Sequence, residues 1–147
     1  MIKHAMNESC TSVSSPNHPE ILKMRDIQHL YTPVKGIAKE NVSLLTVVNR
    51  LHPTPALGGQ PKQKAYEIIR ELEILDRGWY GSPIGWFDTK DNGEFAVAIR
   101  SGLINGKDAS LFAGCGIVGD SEPESEYKET MIKFRPMLSA LGGLDNE

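Results

Sequence analysis

Apolar residues recur along this chain in two rhythms, one of a helix face and one of an alternating strand. Leu44, Leu45, Val48 and Leu51 repeat at the spacing of one helical face, so the pattern predicts a helix over 41–51. Pro53 closes it, because the residue before a proline avoids the α conformation. A turn-rich loop over 54–59 follows. The next helix opens at Pro61, whose missing N–H costs nothing in a first turn. It puts Ala65, Ile68, Ile69 and Leu72 in a buried stripe, with Lys62, Lys64, Glu67, Glu71 and Glu73 outside it and Gly78 as its stop.

Strand rhythm then takes over. Lys90-Asp91-Asn92-Gly93 and Asn105-Gly106-Lys107-Asp108 are turn signals between apolar runs. They predict an antiparallel meander of three strands at 84–88, 94–100 and 110–118. In the middle strand Phe95, Val97 and Ile99 share one face, and Ala96, Ala98 and Arg100 the other. In the third, Gly114 and Gly116 share a face without side chains, which marks a bulge or a close backbone approach. The last helix opens at Ser121, where Ser121 and Glu124 form a capping-box pattern with Pro123 in the first turn. It runs to about Ala140 and stops at Gly142-Gly143, with Met131, Phe134, Leu138 and Leu141 as its apolar face.

Ahead of these elements the rhythm is weak. Residues 1–20 are crowded with Ser, Asn, Thr and Pro and are expected as a poorly ordered segment, a frayed short helix followed by a linker. Residues 21–33 alternate in a strand-like way through Ile27, His29 and Tyr31 and end at Pro33. The expected fold class is therefore α+β, carried by residues 21–147.

Composition narrows the functional classes. Hydrophobic residues make up 39% and charged residues 24% of the 147, an ordinary balance for a chain with a core. A net charge of -3 leaves no general basic field for nucleic acid or an anionic membrane, so neither is expected as a partner. No apolar run is long enough to span a membrane, and Cys10 and Cys115 form neither a metal-binding spacing nor a disulfide framework. A reducing cytoplasm is the expected location.

Three constellations could carry chemistry. Glu126, Glu129 and Lys133 fall on one helix face, where two carboxylates a turn apart can hold a hard cation such as Mg2+ and the lysine can meet a carboxylate. The plainer reading is a solvated face with ordinary ion pairing. Arg100 with Gly114 offers a planar fork for a carboxylate beside an unobstructed backbone N–H, against a surface arginine and a bulge. The proline-bracketed loop 52–59 precedes a helix N-terminus, which favours anions, although such loops are more often rigid connectors. His29 could be a ligand or a structural residue. Trp79, Tyr80 and Trp86 could line an organic ligand, and Cys115 reads as a small buried hydrophobe.

Six stretches taken together carry a resemblance. They are IQHLYTPV (27–34), RLHPTPALGG (50–59), IRELE with DRGWYGSPIGWFD (69–88), NGEFAVAIRSGLI (92–104), LFAGCGIVGDSEPESEYKET (111–130) and KFRPMLSALGG (133–143). In this order they resemble the chorismate-utilising enzymes, specifically the isochorismate synthases of the menaquinone pathway, with the siderophore enzymes as their near kin. The resemblance implies the C-terminal part of the chorismate-binding fold shared with anthranilate and aminodeoxychorismate synthases, with antiparallel strands packed against helices.

Carried over position by position, the resemblance implies that Glu129 is a magnesium ligand and Glu126 its acidic neighbour. Arg100 and Lys133 would bind the carboxylates of chorismate, and Gly114 would offer its N–H to one of them. Tyr80, Ala56 and Leu57 would line the ring pocket, and His29 would lie near the enolpyruvyl side. The family's base, a lysine, its acid, a glutamate, and a further metal-binding glutamate all lie upstream of the matched stretches. The resemblance thus implies a truncated isochorismate synthase, inactive alone, that needs the missing N-terminal part as partner, and exposed sheet edges. Salicylate synthase is the alternative enzyme, and a non-catalytic chorismate-binding remnant or partner subunit the alternative from another class.

Overall fold

The computed structural model describes residues 2–23 and 28–143. In chain order its first elements are α1 (Ile2–Ser9), β1 (Cys10–Ser14), β2 (Glu20–Lys23), β3 (Gln28–Tyr31), β4 (Lys35–Ala38) and α2 (Leu44–Leu51). They are followed by α3 (Pro55–Gly58), α4 (Lys62–Leu72), β5 (Pro83–Phe87), β6 (Gly93–Val97), β7 (Ser101–Asn105), β8 (Asp108–Phe112) and α5 (Pro123–Ala140). The class is α+β. The strands pair two by two, β1 with β4, β2 with β3, β5 with β6 and β7 with β8. Contacts divide the chain into one unit of residues 1–54 and 83–96 and another of residues 55–82 and 97–147.

The first unit corrects the reading of its amino end. Residues 2–14 form α1 and β1 rather than a frayed helix and a linker. Distant cations order them. The Arg50 guanidinium donates to Ser9 Oγ at 2.7 Å, and Lys39 Nζ donates to the carbonyls of Asn7 at 2.9 Å and Glu8 at 3.0 Å. Ser9 and Cys10 are buried, 1% and 6% exposed. β1 runs antiparallel to β4 with Cys10 opposite Ala38, and a Cβ on Gly36 would stand 2.8 Å from Cys10 Cβ, so glycine is what lets the strands close there.

The stretch read as one strand is a hairpin. β2 and β3 pair antiparallel with Ile21 opposite Leu30 and Leu22 opposite His29. Ile27, assigned to that strand, lies outside the described residues. α2 starts at Leu44 rather than at Asn41, because Asn41 takes a left-handed φ of 62° and Ser43 caps the helix, accepting from Thr46 N at 3.3 Å. In the turn between β5 and β6, Asp88 gathers the N–H groups of Lys90 and Asn92 at 2.8 and 2.9 Å. Asp91, not Asn92 or Gly93, has the left-handed φ, 60°. Gly93 has another task. A Cβ there would collide with Trp86 O and stand 2.5 Å from Leu44 of α2.

In the second unit the expected meander breaks twice. Ile99 N donates to Val97 O at 2.8 Å and Arg100 adopts a φ of 49°, so β6 stops at Val97 and β7 starts anew at Ser101. Arg100 is therefore a junction residue, not the end of a strand face shared with Ala96 and Ala98. β7 and β8 form a tight antiparallel hairpin with Asn105 opposite Asp108 and Gly106 at a φ of 62°, the turn the Asn-Gly signal predicts. β8 ends at Phe112, so Gly114 and Gly116 lie in the irregular stretch beyond it rather than on a strand.

The helices of this unit also depart in detail. The loop at 54–59 contains the single turn α3, and Gly59, at a φ of 72°, closes it against Ala65 of α4. α4 ends at Leu72, well before Gly78. Only Ala65 and Ile69 of its stripe are half-buried, while Ile68 and Leu72 stand exposed. α5 starts at Pro123 with no side-chain cap, so the Ser121–Glu124 box does not form. It ends where the paired glycines predict, with Gly143 N donating to Leu138 O at 2.8 Å. Met137 of α5 packs towards Gly102 of β7. Among the described residues no helix is long and apolar enough to cross a membrane.

Candidate functional site

Charged and aromatic residues of the second unit gather where the chain beyond β8 meets α5. Helical spacing puts Glu129 and Lys133 one turn apart, and their side chains meet, Nζ to Oε1 at 2.6 Å. Lys133 Nζ also donates to the carbonyl of Gly114 at 3.1 Å, which ties the helix to the glycine stretch. The interaction at Gly114 thus runs through its carbonyl, whereas the sequence directs attention to its N–H.

Tyr80 reaches the same glycine. Its hydroxyl lies 2.9 Å from the point a Cβ on Gly114 would occupy. Two supports hold the ring. It stacks on Phe112 with centroids 5.7 Å apart, and the Arg77 guanidinium lies 6.0 Å from its centroid. Arg77 is itself forked onto Glu73, just past the end of α4. Gly81 N donates to Ala98 O at 2.8 Å and Ala98 N to Ser82 O at 2.9 Å, which fixes the turn carrying Tyr80. Burial raises the Tyr80 hydroxyl above its ordinary pKa, and the positive charges of Arg77 and Lys133 pull it partly back.

Glu126 belongs to a neighbouring polar network. Ser121 Oγ donates to Glu126 Oε1 at 2.7 Å and accepts from Val118 N at 3.1 Å. The Ser121 hydroxyl, then the Cys115 thiol, hold the Glu126 carboxyl below its ordinary pKa, so it stays a carboxylate. Thr130 Oγ1 donates to Cys115 Sγ at 3.4 Å. The network borders a cavity of about 340 Å3 lined by Cys115, Ile117, Ser121, Tyr127 and Thr130 among others.

The structure thus brings together Tyr80, Gly114, Glu129 and Lys133, with Glu126 one turn earlier on α5. Arg100 lies in the same unit at the β6–β7 junction, and Ala56 and Leu57 lie in α3. His29 lies in the other unit, on β3. Among the described residues no three His, Cys, Asp or Glu side chains converge. Two carboxylates are nevertheless an oxygen-only donor set suited to Mg2+, which commonly takes one or two protein carboxylates and completes its shell with water and substrate oxygens.

Residues 1–142 match the family of chorismate binding enzymes. The chain belongs to that family. It is 59% identical to the isochorismate synthase MenF of Bacillus subtilis over 97% of its own length and 30% of that protein's. It is 44% identical to the salicylate biosynthesis isochorismate synthase of Pseudomonas aeruginosa, covering 98% of this chain and 31% of that one. Among solved structures it superimposes with a TM-score of 0.92 on DhbC from Bacillus anthracis, described as a 2,3-dihydroxybenzoate-specific isochorismate synthase, at 38% identity over 96% of this chain and 38% of the other. With anthranilate synthase component I of Streptococcus pneumoniae the TM-score is 0.84 at 31% identity, over 92% and 32% of the two chains. The chain spans about a third of the length of the relatives it matches.

Sequence reasoning missed the supports around the site. The Glu73–Arg77 fork behind Tyr80 has an i,i+4 spacing that could have signalled it. Ser121 was visible only as a cap, and its contact with Glu126 five residues on has no sequence pattern.

Proposed function

We propose that this chain is the carboxylate- and cation-binding portion of a cytoplasmic isochorismate synthase of the menaquinone pathway, which interconverts chorismate and isochorismate. The observation that carries the reading is the meeting of Lys133, Gly114 and Tyr80 beside Glu129, an ammonium and an aromatic wall next to a carboxylate. The 59% identity to the Bacillus subtilis isochorismate synthase supports the choice of reaction and pathway.

In this reading Lys133 and Arg100 hold the two carboxylates of chorismate, and Gly114 offers backbone polar groups beside them. Tyr80, with Ala56 and Leu57, walls the ring and excludes water from its face. Glu129, with Glu126 as its charged neighbour, would hold Mg2+. When bound there, Mg2+ supplies charge neutralisation at the ring carboxylate during allylic displacement. The base that activates water and the acid that protonates the departing hydroxyl belong to the part of the family fold that this chain does not match.

The test is calorimetry with chorismate and Mg2+ on the 147-residue chain, followed by chromatography of products. A second assay adds the portion of the Bacillus subtilis relative that the chain does not match. Chorismate binding by the chain, and isochorismate once the complement is added, are the expected results. Salicylate as product would select the pyruvate-eliminating alternative. Chorismate binding without turnover even with the complement would select a non-catalytic binding role. No chorismate binding with or without Mg2+ would overturn the proposal.

A further inference from the structure

Glu129 and Lys133 neutralise each other on α5, although the function proposed above asks them to hold ligands of opposite charge. Their 2.6 Å contact is the closer of two i,i+4 lysine–glutamate pairs on this helix. The other, Lys128 with Glu124, spans 3.9 Å between side chains that are 76% and 91% exposed. The Lys133 side chain is only 19% exposed, while that of Glu129 is 56% exposed. Lys133 also has a second acceptor in the Gly114 carbonyl at 3.1 Å. The lysine is thus anchored on its inner side, and the carboxylate is the partner with room to turn away.

We infer that Lys133 is the resident counter-ion of the cation site. Its ammonium neutralises Glu129 until a carboxylate ligand takes that place and frees the glutamate to turn away, so a divalent cation and a carboxylate ligand bind cooperatively. The inference rests on the functional reading above, since it takes Glu129 as the cation ligand and Lys133 as the carboxylate ligand. The physical reason is competition. A cation approaching Glu129 meets an ammonium already seated there, and a carboxylate approaching Lys133 meets an ammonium already neutralised. Each ligand removes the obstacle to the other, and linkage requires the two effects to be equal.

The experiment is a calorimetric titration of Mn2+ into the full chain, with and without chorismate, for the unaltered protein, K133Q and K128Q. In the unaltered protein, saturating chorismate tightens Mn2+ binding by about fivefold or more, and Mn2+ tightens chorismate binding by the same factor. K133Q binds Mn2+ without chorismate about as tightly as the unaltered chain does with it, and its coupling factor falls towards one. K128Q, which removes an equal charge from a looser pair, behaves like the unaltered protein. Equal Mn2+ affinity in folded K133Q and the unaltered chain overturns the inference, as does an effect of the same size in K128Q. Absence of coupling in the unaltered chain overturns it without recourse to any variant. If Mn2+ binds none of the three, the cation role of Glu129 falls and the inference with it, while retained chorismate binding leaves the carboxylate reading standing.

Discussion

The Tyr80 hydroxyl stands 2.9 Å from where a Cβ on Gly114 would lie, so the aromatic side chain and the bare backbone occupy each other's margin. Tyr80 has little freedom to withdraw, because Phe112 stacks on its ring and the backbone of Gly81 is bonded to Ala98. Replacing Gly114 by alanine is expected to destabilise the chain by about 1–3 kcal/mol through overpacking. Urea unfolding measures the cost. Adding Y80F, which removes the atom in conflict, is expected to restore most of it, and a double-mutant cycle that shows no coupling would refute the contact.

Ser121 sets the charge state of Glu126. Its hydroxyl is the main reason the folded-state pKa is depressed, with the Cys115 thiol second. A depressed carboxylate contributes stability that is complete above its unfolded pKa and is lost as pH falls through the folded value. S121A should therefore raise the Glu126 pKa towards the ordinary glutamate value, which makes that loss smaller and completes it at higher pH. NMR titration of the Glu126 carboxyl carbon measures the shift, and an unchanged pKa in S121A would show that another donor holds the charge.

Arg77 acts on two neighbours at once. Its hydrogen bonds are the main cause of the lowered Glu73 pKa, and its charge opposes the burial that raises Tyr80. R77A should cost less than about 1 kcal/mol at neutral pH, because the pair is partly solvated and screened. The gap between R77A and the unaltered chain should narrow as pH falls through the folded pKa of Glu73. The Tyr80 hydroxyl should titrate at still higher pH in R77A, which phenolate absorbance would reveal.

The two α5 carboxylates differ in what they already hold. Glu129 faces an ammonium, whereas Glu126 is tied to a neutral hydroxyl. E129Q is expected to abolish Mg2+ binding and E126Q to weaken it by about tenfold, within the range seen for residues that support a ligand. Calorimetry with Mg2+ in the presence of chorismate decides, and a stronger loss in E126Q would exchange the two roles.

Local signals were read well where local forces decide. The Asn105-Gly106 turn and the Gly142-Gly143 helix stop are dictated by backbone conformations that glycine adopts at little cost. The facing of Glu129 and Lys133 follows from helical spacing alone. The break at Arg100 was illegible, because Phe95, Val97 and Ile99 continue the alternation to the very residue that takes a left-handed φ, with no glycine or proline to mark it. The order of residues 2–14 was hidden for a different reason. Its cations sit on Lys39 and Arg50, 32 residues from Asn7 and 41 from Ser9. The approach of Tyr80 to Gly114 likewise arises only when the stretch beyond β8 folds back against the turn after α4.

That fastening of the amino end has a practical side. A segment rich in serine, asparagine and proline invites trimming when an expression clone is drawn up. Starting this protein at residue 20 would strip β4 of its paired strand and remove the acceptors that engage Lys39 and Arg50. Such a shortened chain would lose the buried Ser9 and Cys10, and would make a poor starting point for crystallisation or inhibitor screening.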